Sequence, residues 1–115
     1  MPTTIYHNPK CSKSRQTLEL LKEKGITPTV IEYLKTPPTV ETLKVILGQL
    51  GMAPRDLMRK KEDIYTELKL DNLSLSEDDL IDSMVRHPIL IERPIVLANG
   101  KAALGRPPEQ VLDIL

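Results

Sequence analysis

One cysteine in 115 residues excludes an intramolecular disulfide, so no covalent staple holds this chain. A domain of this size buries roughly two thirds of its unfolded surface and needs neither a disulfide nor a structural metal. A lone thiol also suits a reducing compartment, and cytoplasmic residence is the expectation. The chain opens without a basic leader and apolar core, and no apolar run reaches the length of a membrane span. Neither secretion nor a membrane partner is expected. Tryptophan and phenylalanine are missing and tyrosine occurs only three times. That leaves little for a base-stacking surface and hands the core to Leu, Ile and Val. An excess of one charge is missing too, since 16 Lys and Arg balance 16 Asp and Glu. A general nucleic-acid binder needs a basic excess to neutralise phosphates, so nucleic acid is not an expected partner. Two histidines and one cysteine give no ligand set with zinc spacing, and no phosphate-cradling glycine loop or nucleotide fingerprint occurs. No metal and no tightly bound cofactor are expected.

What is present reads as one α/β domain spanning residues 1–115. Residues 3–6 (TTIY) form a strand, Asn8-Pro9 turns the chain, and 12–24 reads as a helix. Leu18 and Leu21 face inward on that helix, and Gly25 stops it. Residues 29–34 (TVIEYL) are a second strand, completing a βαβ unit whose strands should be parallel. Thr36-Pro37-Pro38-Thr39 opens a helix with Leu43, Ile46, Leu47 and Leu50 on one face, closed by Gly51. Shorter helical pieces follow at 54–58 and 63–70. Ser76 caps a further helix, with Asp79 in the capping-box position and Leu80, Ile81, Met84 and Val85 inward, until His87-Pro88 ends it. Ile95-Val96-Leu97 and Ala102-Ala103-Leu104 pair across an Asn99-Gly100 turn. Pro107 then opens a last helix whose apolar face is Val111, Leu112, Ile114 and Leu115. The order is β-α-β, a helical stretch of about fifty residues, then β-β-α. This is a thioredoxin-like fold: a mixed sheet of about four strands, with a helical insertion between the second and third.

Cys11 falls in the turn after the first strand, at the start of the first helix. Unpaired N–H groups and the helix dipole favour an anion there, hence thiolate over thiol. Lys10, Lys13 and Arg15 add positive charge, and the run PKCSKS is poor company for a buried apolar cysteine. A dithiol pair would need CxxC, but position 14 is Ser. A low-molecular-weight phosphatase loop would need CxxxxxR, but position 17 is Thr. What remains is a monothiol CxxS, able to form a covalent adduct but dependent on an outside thiol to release it. His7 either pairs with the thiolate or caps the strand end, and Ser14 either hydrogen-bonds the thiolate or lies on the helix surface. An oxyanion substrate would need cations. Arg93, before the third strand, and Arg106, before the last helix, suit one because a guanidinium makes paired, charge-assisted hydrogen bonds. The Arg59-Lys60-Lys61 cluster reads as solvated charge.

IYHNPKCSKSR, YLKTPPT, LMRKKEDIY, HPILIERPIV and GRPPEQVL, in this order and spacing, resemble the glutaredoxin-dependent arsenate reductases of the ArsC type. CSKSR, RKKED, VLANGKA and GRPPEQVL bring the chain nearest the YfgD-like branch. The resemblance implies a thioredoxin-like fold with a helical insertion. It makes Cys11 the nucleophile, with His7 and Ser14 beside it, and it gives Arg59, Arg93 and Arg106 to the oxyanion and a cis bond to Pro94. The activity it implies is reduction of arsenate to arsenite through a Cys11-thioarsenate adduct. Glutathione is the implied co-substrate and glutaredoxin the partner that regenerates the thiol. Two other functions fit a monothiol on this fold: a glutathione-linked thiol oxidoreductase of another substrate, and a non-enzymatic regulator like the Spx proteins. Those regulators usually carry CxxC, which Ser14 replaces here.

Overall fold

In the computed structural model, which describes residues 2–115, four strands make one mixed sheet. They are β1 (Thr4–His7), β2 (Thr29–Glu32), β3 (Ile95–Ala98) and β4 (Lys101–Leu104), in the order β2-β1-β3-β4. β1 runs parallel to β2, with Ile5 opposite Val30, and antiparallel to β3, with Ile5 opposite Val96. β3 and β4 are antiparallel across Asn99-Gly100, both of which have positive φ (55° and 73°). That is the backbone a two-residue primed turn requires. The expected α/β, thioredoxin-like arrangement is what the chain adopts.

The described chain divides into two compact units. One runs to Thr36 and resumes from Arg93 to Leu115; the other is Pro37–Glu92. The sheet belongs to the first, together with helix α1 (Ser12–Glu23) and a 3-10 helix at Pro108–Ile114. Ile5, Leu21, Val96, Ala98, Val111 and Ile114 form its buried core. Leu21 is fully buried, whereas Leu18 only packs against the rim of that core.

The last helix departs from the α-helical face expected for it. It begins at Pro108 rather than Pro107 and is 3-10 throughout. With three residues per turn, the inward positions recur at every third residue, so Pro108, Val111 and Ile114 are buried. Leu112 and Leu115, at 36% and 39% exposure, fall off that face. β2 also stops at Glu32, two residues short of the expected end, because Lys35 and Thr36 N–H groups turn back to Glu32 O.

The unit Pro37–Glu92 is helical: α2 (Val40–Leu50), α3 (Asp63–Glu67) and α4 (Glu77–Arg86), with 3-10 turns at Pro54–Leu57 and Pro88–Leu90. α2 starts where Thr39 Oγ1 accepts the Thr42 N–H at 3.1 Å, and it ends at Gly51 with φ 66°. α4 starts on a reciprocal capping box. Ser76 Oγ accepts from Asp79 N at 3.1 Å, and Asp79 Oδ2 accepts from Ser76 N at 3.0 Å. Leu43, Ile46 and Leu47 of α2 and Leu80, Ile81 and Met84 of α4 are the buried faces of two helices that pack together. The expected piece at 63–70 is helical only to Glu67, ending before Lys69, whose φ is 54°. Among the described residues no helix is long and apolar enough to cross a membrane.

Candidate active site

β1 ends at His7, and Asn8 makes the turn that delivers Cys11 to the start of α1. Cys11 N–H donates to Asn8 O at 3.0 Å, and Asn8 Oδ1 accepts the Lys10 N–H at 3.0 Å. Asn8 is buried, a role its reading as a plain turn signal did not reveal. Cys11 is the N-cap residue of α1, with extended backbone angles (φ −95°, ψ 124°). Its side chain therefore sits over the first turn, where N–H groups lack a carbonyl partner.

Partial burial by itself pushes the Cys11 thiol up, but other groups outweigh it and hold the thiol below its ordinary value. They are the backbone N–H of Ser14, the Arg93 guanidinium, both as hydrogen-bond donor and as charge, and the backbone N–H of Lys13. The cation acting on the sulfur is thus Arg93, 82 positions away, and not the side chains of the adjacent basic run. Lys10 and Lys13 are exposed, and Arg15 donates from Nη1 to Pro9 O at 2.9 Å.

Ser14 is fully buried, and its hydroxyl belongs to a different network. Ser14 Oγ lies 2.6 Å from His7 Nδ1 and accepts the Asn8 N–H at 3.0 Å. What Ser14 gives the thiol is its main-chain N–H. His7 is 6% exposed, and burial lowers its pKa below the ordinary imidazole range. Glu32 opposes that shift, and Arg15 and Lys22 reinforce it. Burial thus favours the neutral imidazole, and its Nδ1 is turned to Ser14 Oγ.

The two late arginines meet. Arg106 Nη1 donates to Arg93 O at 3.2 Å, and Gly105 N–H donates to Pro94 O at 3.0 Å. Both arginines precede cis prolyl bonds, Arg93-Pro94 and Arg106-Pro107. Thr17 is the residue that fits this segment to α1. It is fully buried, and its Oγ1 donates to Lys13 O at 2.8 Å. A Cβ at Gly105 would overlap Thr17 Oγ1 and lie 2.7 Å from Pro94 Cγ, so any larger residue there forces those side chains to shift. Thr17 entered the sequence argument only as a missing arginine. The structure makes it the floor beneath the Arg106 segment.

Arg59 belongs to the helical unit. Its guanidinium is held by Glu62, Nε to Oε2 at 3.3 Å, and by Glu92, Nη1 to Oε1 at 2.9 Å. The cluster read as solvated charge therefore contains one arginine engaged by two carboxylates. Glu62, three residues on, is a partner that spacing could have suggested. Glu92, 33 residues away, is not. Among the described residues no group of His, Cys, Asp and Glu is placed to hold a metal ion.

A family model described as the ArsC family matches residues 6–114. Over 112 residues the chain is 62% identical to the uncharacterized protein YfgD of Escherichia coli K12, covering 96% of this chain and 94% of that protein. Over 112 residues it is 54% identical to an arsenate reductase of Neisseria meningitidis serogroup B, covering 96% of each. The solved structure of an arsenate reductase from Vibrio cholerae matches with a TM-score of 0.97 at 59% identity, covering 100% of this chain and 98% of that one.

Proposed function

This chain belongs to the ArsC family, and from that premise we propose that it reduces arsenate to arsenite with Cys11 as nucleophile. The observation that carries the reading is the environment of one sulfur. Cys11 caps α1, the N–H groups of Ser14 and Lys13 and the Arg93 guanidinium act on it, and its pKa is lowered despite burial. A thiol whose pKa is lowered this way ionises more readily for attack, and the same donors suit an incoming oxyanion.

The Cys11 thiolate attacks arsenic, an arsenate oxygen takes up protons and leaves as water, and an S–As bond forms. Arg59, Arg93 and Arg106 bind the remaining oxygens and stabilise their charge. His7 and Ser14 fix the turn that carries Cys11, through the 2.6 Å contact between them. A glutathione thiolate next attacks the Cys11 sulfur. The S–As electron pair passes to arsenic, As(V) becomes As(III), and arsenite departs. Cys11 remains as a mixed disulfide with glutathione, which a glutaredoxin thiol exchanges away to restore it. With a single cysteine in the chain, no internal thiol can perform either exchange. That dependence on an outside thiol suits a reducing compartment, and the cytoplasm is the one proposed.

The test is turnover of arsenate by purified protein with glutathione, glutaredoxin, glutathione reductase and NADPH. Arsenate-dependent NADPH loss is expected, and Cys11→Ser should abolish it. No arsenate-dependent loss with the wild-type protein would sink the reading.

A further inference from the structure

Arg59 is gripped by two carboxylates of its own chain, and the backbone explains how. The segments around it and around Glu92 are zipped together. Arg59 N–H donates to Leu90 O at 2.7 Å, Glu92 N–H donates to Leu57 O at 2.8 Å, and Met58 bridges Ile91. Glu92 is thereby set beside Arg59 across 33 positions of sequence. The second partner, Glu62, is the N-cap residue of α3, where a side chain would ordinarily accept a helix N–H. Glu62 makes no such bond. Its carboxylate lies instead on Arg59 Nε.

Two nitrogens of the guanidinium are thus committed to protein carboxylates. Among the described residues no group is bonded to the third, Nη2. The three side chains are only 21–25% exposed, so solvent and salt screen the pairs less than they would a surface bridge. From this geometry we propose that Glu62 and Glu92 are positioning residues for the oxyanion, acting through Arg59. They fix the plane of the guanidinium so that Nη2 is presented to the anion without loss of side-chain freedom at the moment of binding. The inference rests on the assignment of Arg59 to the oxyanion made above. The opposite role, two carboxylates competing with the substrate for Arg59, predicts the reverse sign.

The experiment compares Glu92→Ala, Glu92→Gln, Glu62→Ala and Arg59→Ala. It uses the KM for arsenate, kcat, and the arsenate concentration that protects Cys11 from alkylation. Loss of one orienting charge-assisted bond should raise the arsenate KM and the protecting concentration about tenfold in Glu92→Ala, with kcat within about twofold. Glu92→Gln, which keeps an acceptor, should fall between wild type and Glu92→Ala. A packing defect would give no such order and would lower kcat with it. Should Glu92→Ala fail to fold, Glu62→Ala carries the test, because Glu62 supports no helix cap. An unchanged or lower KM in the folded Glu variants, with Arg59→Ala still impaired, overturns the positioning role and leaves the oxyanion assignment standing. An unchanged KM in Arg59→Ala overturns both, as does a wild-type protein that neither binds nor reduces arsenate.

Discussion

At the scale of single residues, the chemistry of Cys11 is a contest between burial and donors, and the donors win. Arg93 is the one charged group among them, so its removal should be visible. In wild-type protein the pH midpoint of Cys11 alkylation should lie below the value of about 8.5 for a free thiol. In Arg93→Ala it should move up toward that value. A midpoint unchanged by the substitution would show that the helix start alone activates the sulfur. His7 gives a second pH signature. Burial holds its folded-state pKa below that of the unfolded chain, with Glu32 opposing and Arg15 and Lys22 assisting. In the window beneath the unfolded value of about 6.5, the unfolded chain therefore binds more protons than the folded one. Stability is fully present above that window and declines as pH falls through it. The urea midpoint should drop between about pH 7.5 and pH 5.5. The drop should be smaller in His7→Gln, and equal drops would remove His7 as the cause.

Elements carry the next set of consequences, and Gly105 joins two of them. A methyl group there meets Thr17 Oγ1 and Cγ2 of α1 and Pro94 Cγ of the turn before β3. Gly105→Ala should cost about 1–3 kcal/mol by overpacking. Adding Thr17→Ala should return part of that loss, because the two sites share the clash. Additive losses in the double variant would contradict the contact. Most elements were readable from local pattern: the capping box of Ser76 and Asp79, the Asn99-Gly100 turn, and the apolar faces of α2 and α4. The last helix was not. Pro108, Val111 and Ile114 recur at spacing three, but Val111, Leu112, Ile114 and Leu115 also satisfy an α-helical face. Only the packing of Val111 and Ile114 into the sheet core decides between the two.

For the whole molecule, balanced charge and missing aromatics bear on partners. With a formal net charge of zero, the protein should leave the mobility of duplex DNA unchanged at about 0.15 M salt. A salt-dependent shift would reveal a basic surface that composition hides. The site was legible to the extent that its parts are local. Cys11 at a helix start, with Ser14 and His7 near it, follows from neighbouring sequence. Arg93 acting on Cys11, Thr17 beneath Gly105, and Glu92 on Arg59 join positions 33 to 88 residues apart, and no periodicity signals such pairs. Family resemblance selected Arg59, whereas only the fold shows Glu92 on it. The sheet itself has one further implication. Its two outer strands, β2 and β4, are four residues long, and charge lies along them: Glu32 with Lys35 just beyond, and Lys101. A neighbouring copy finds a short ladder guarded by charge on each side. Edge-to-edge polymerisation is thereby discouraged, even though Val30 leaves an apolar side chain 45% exposed on one of those edges.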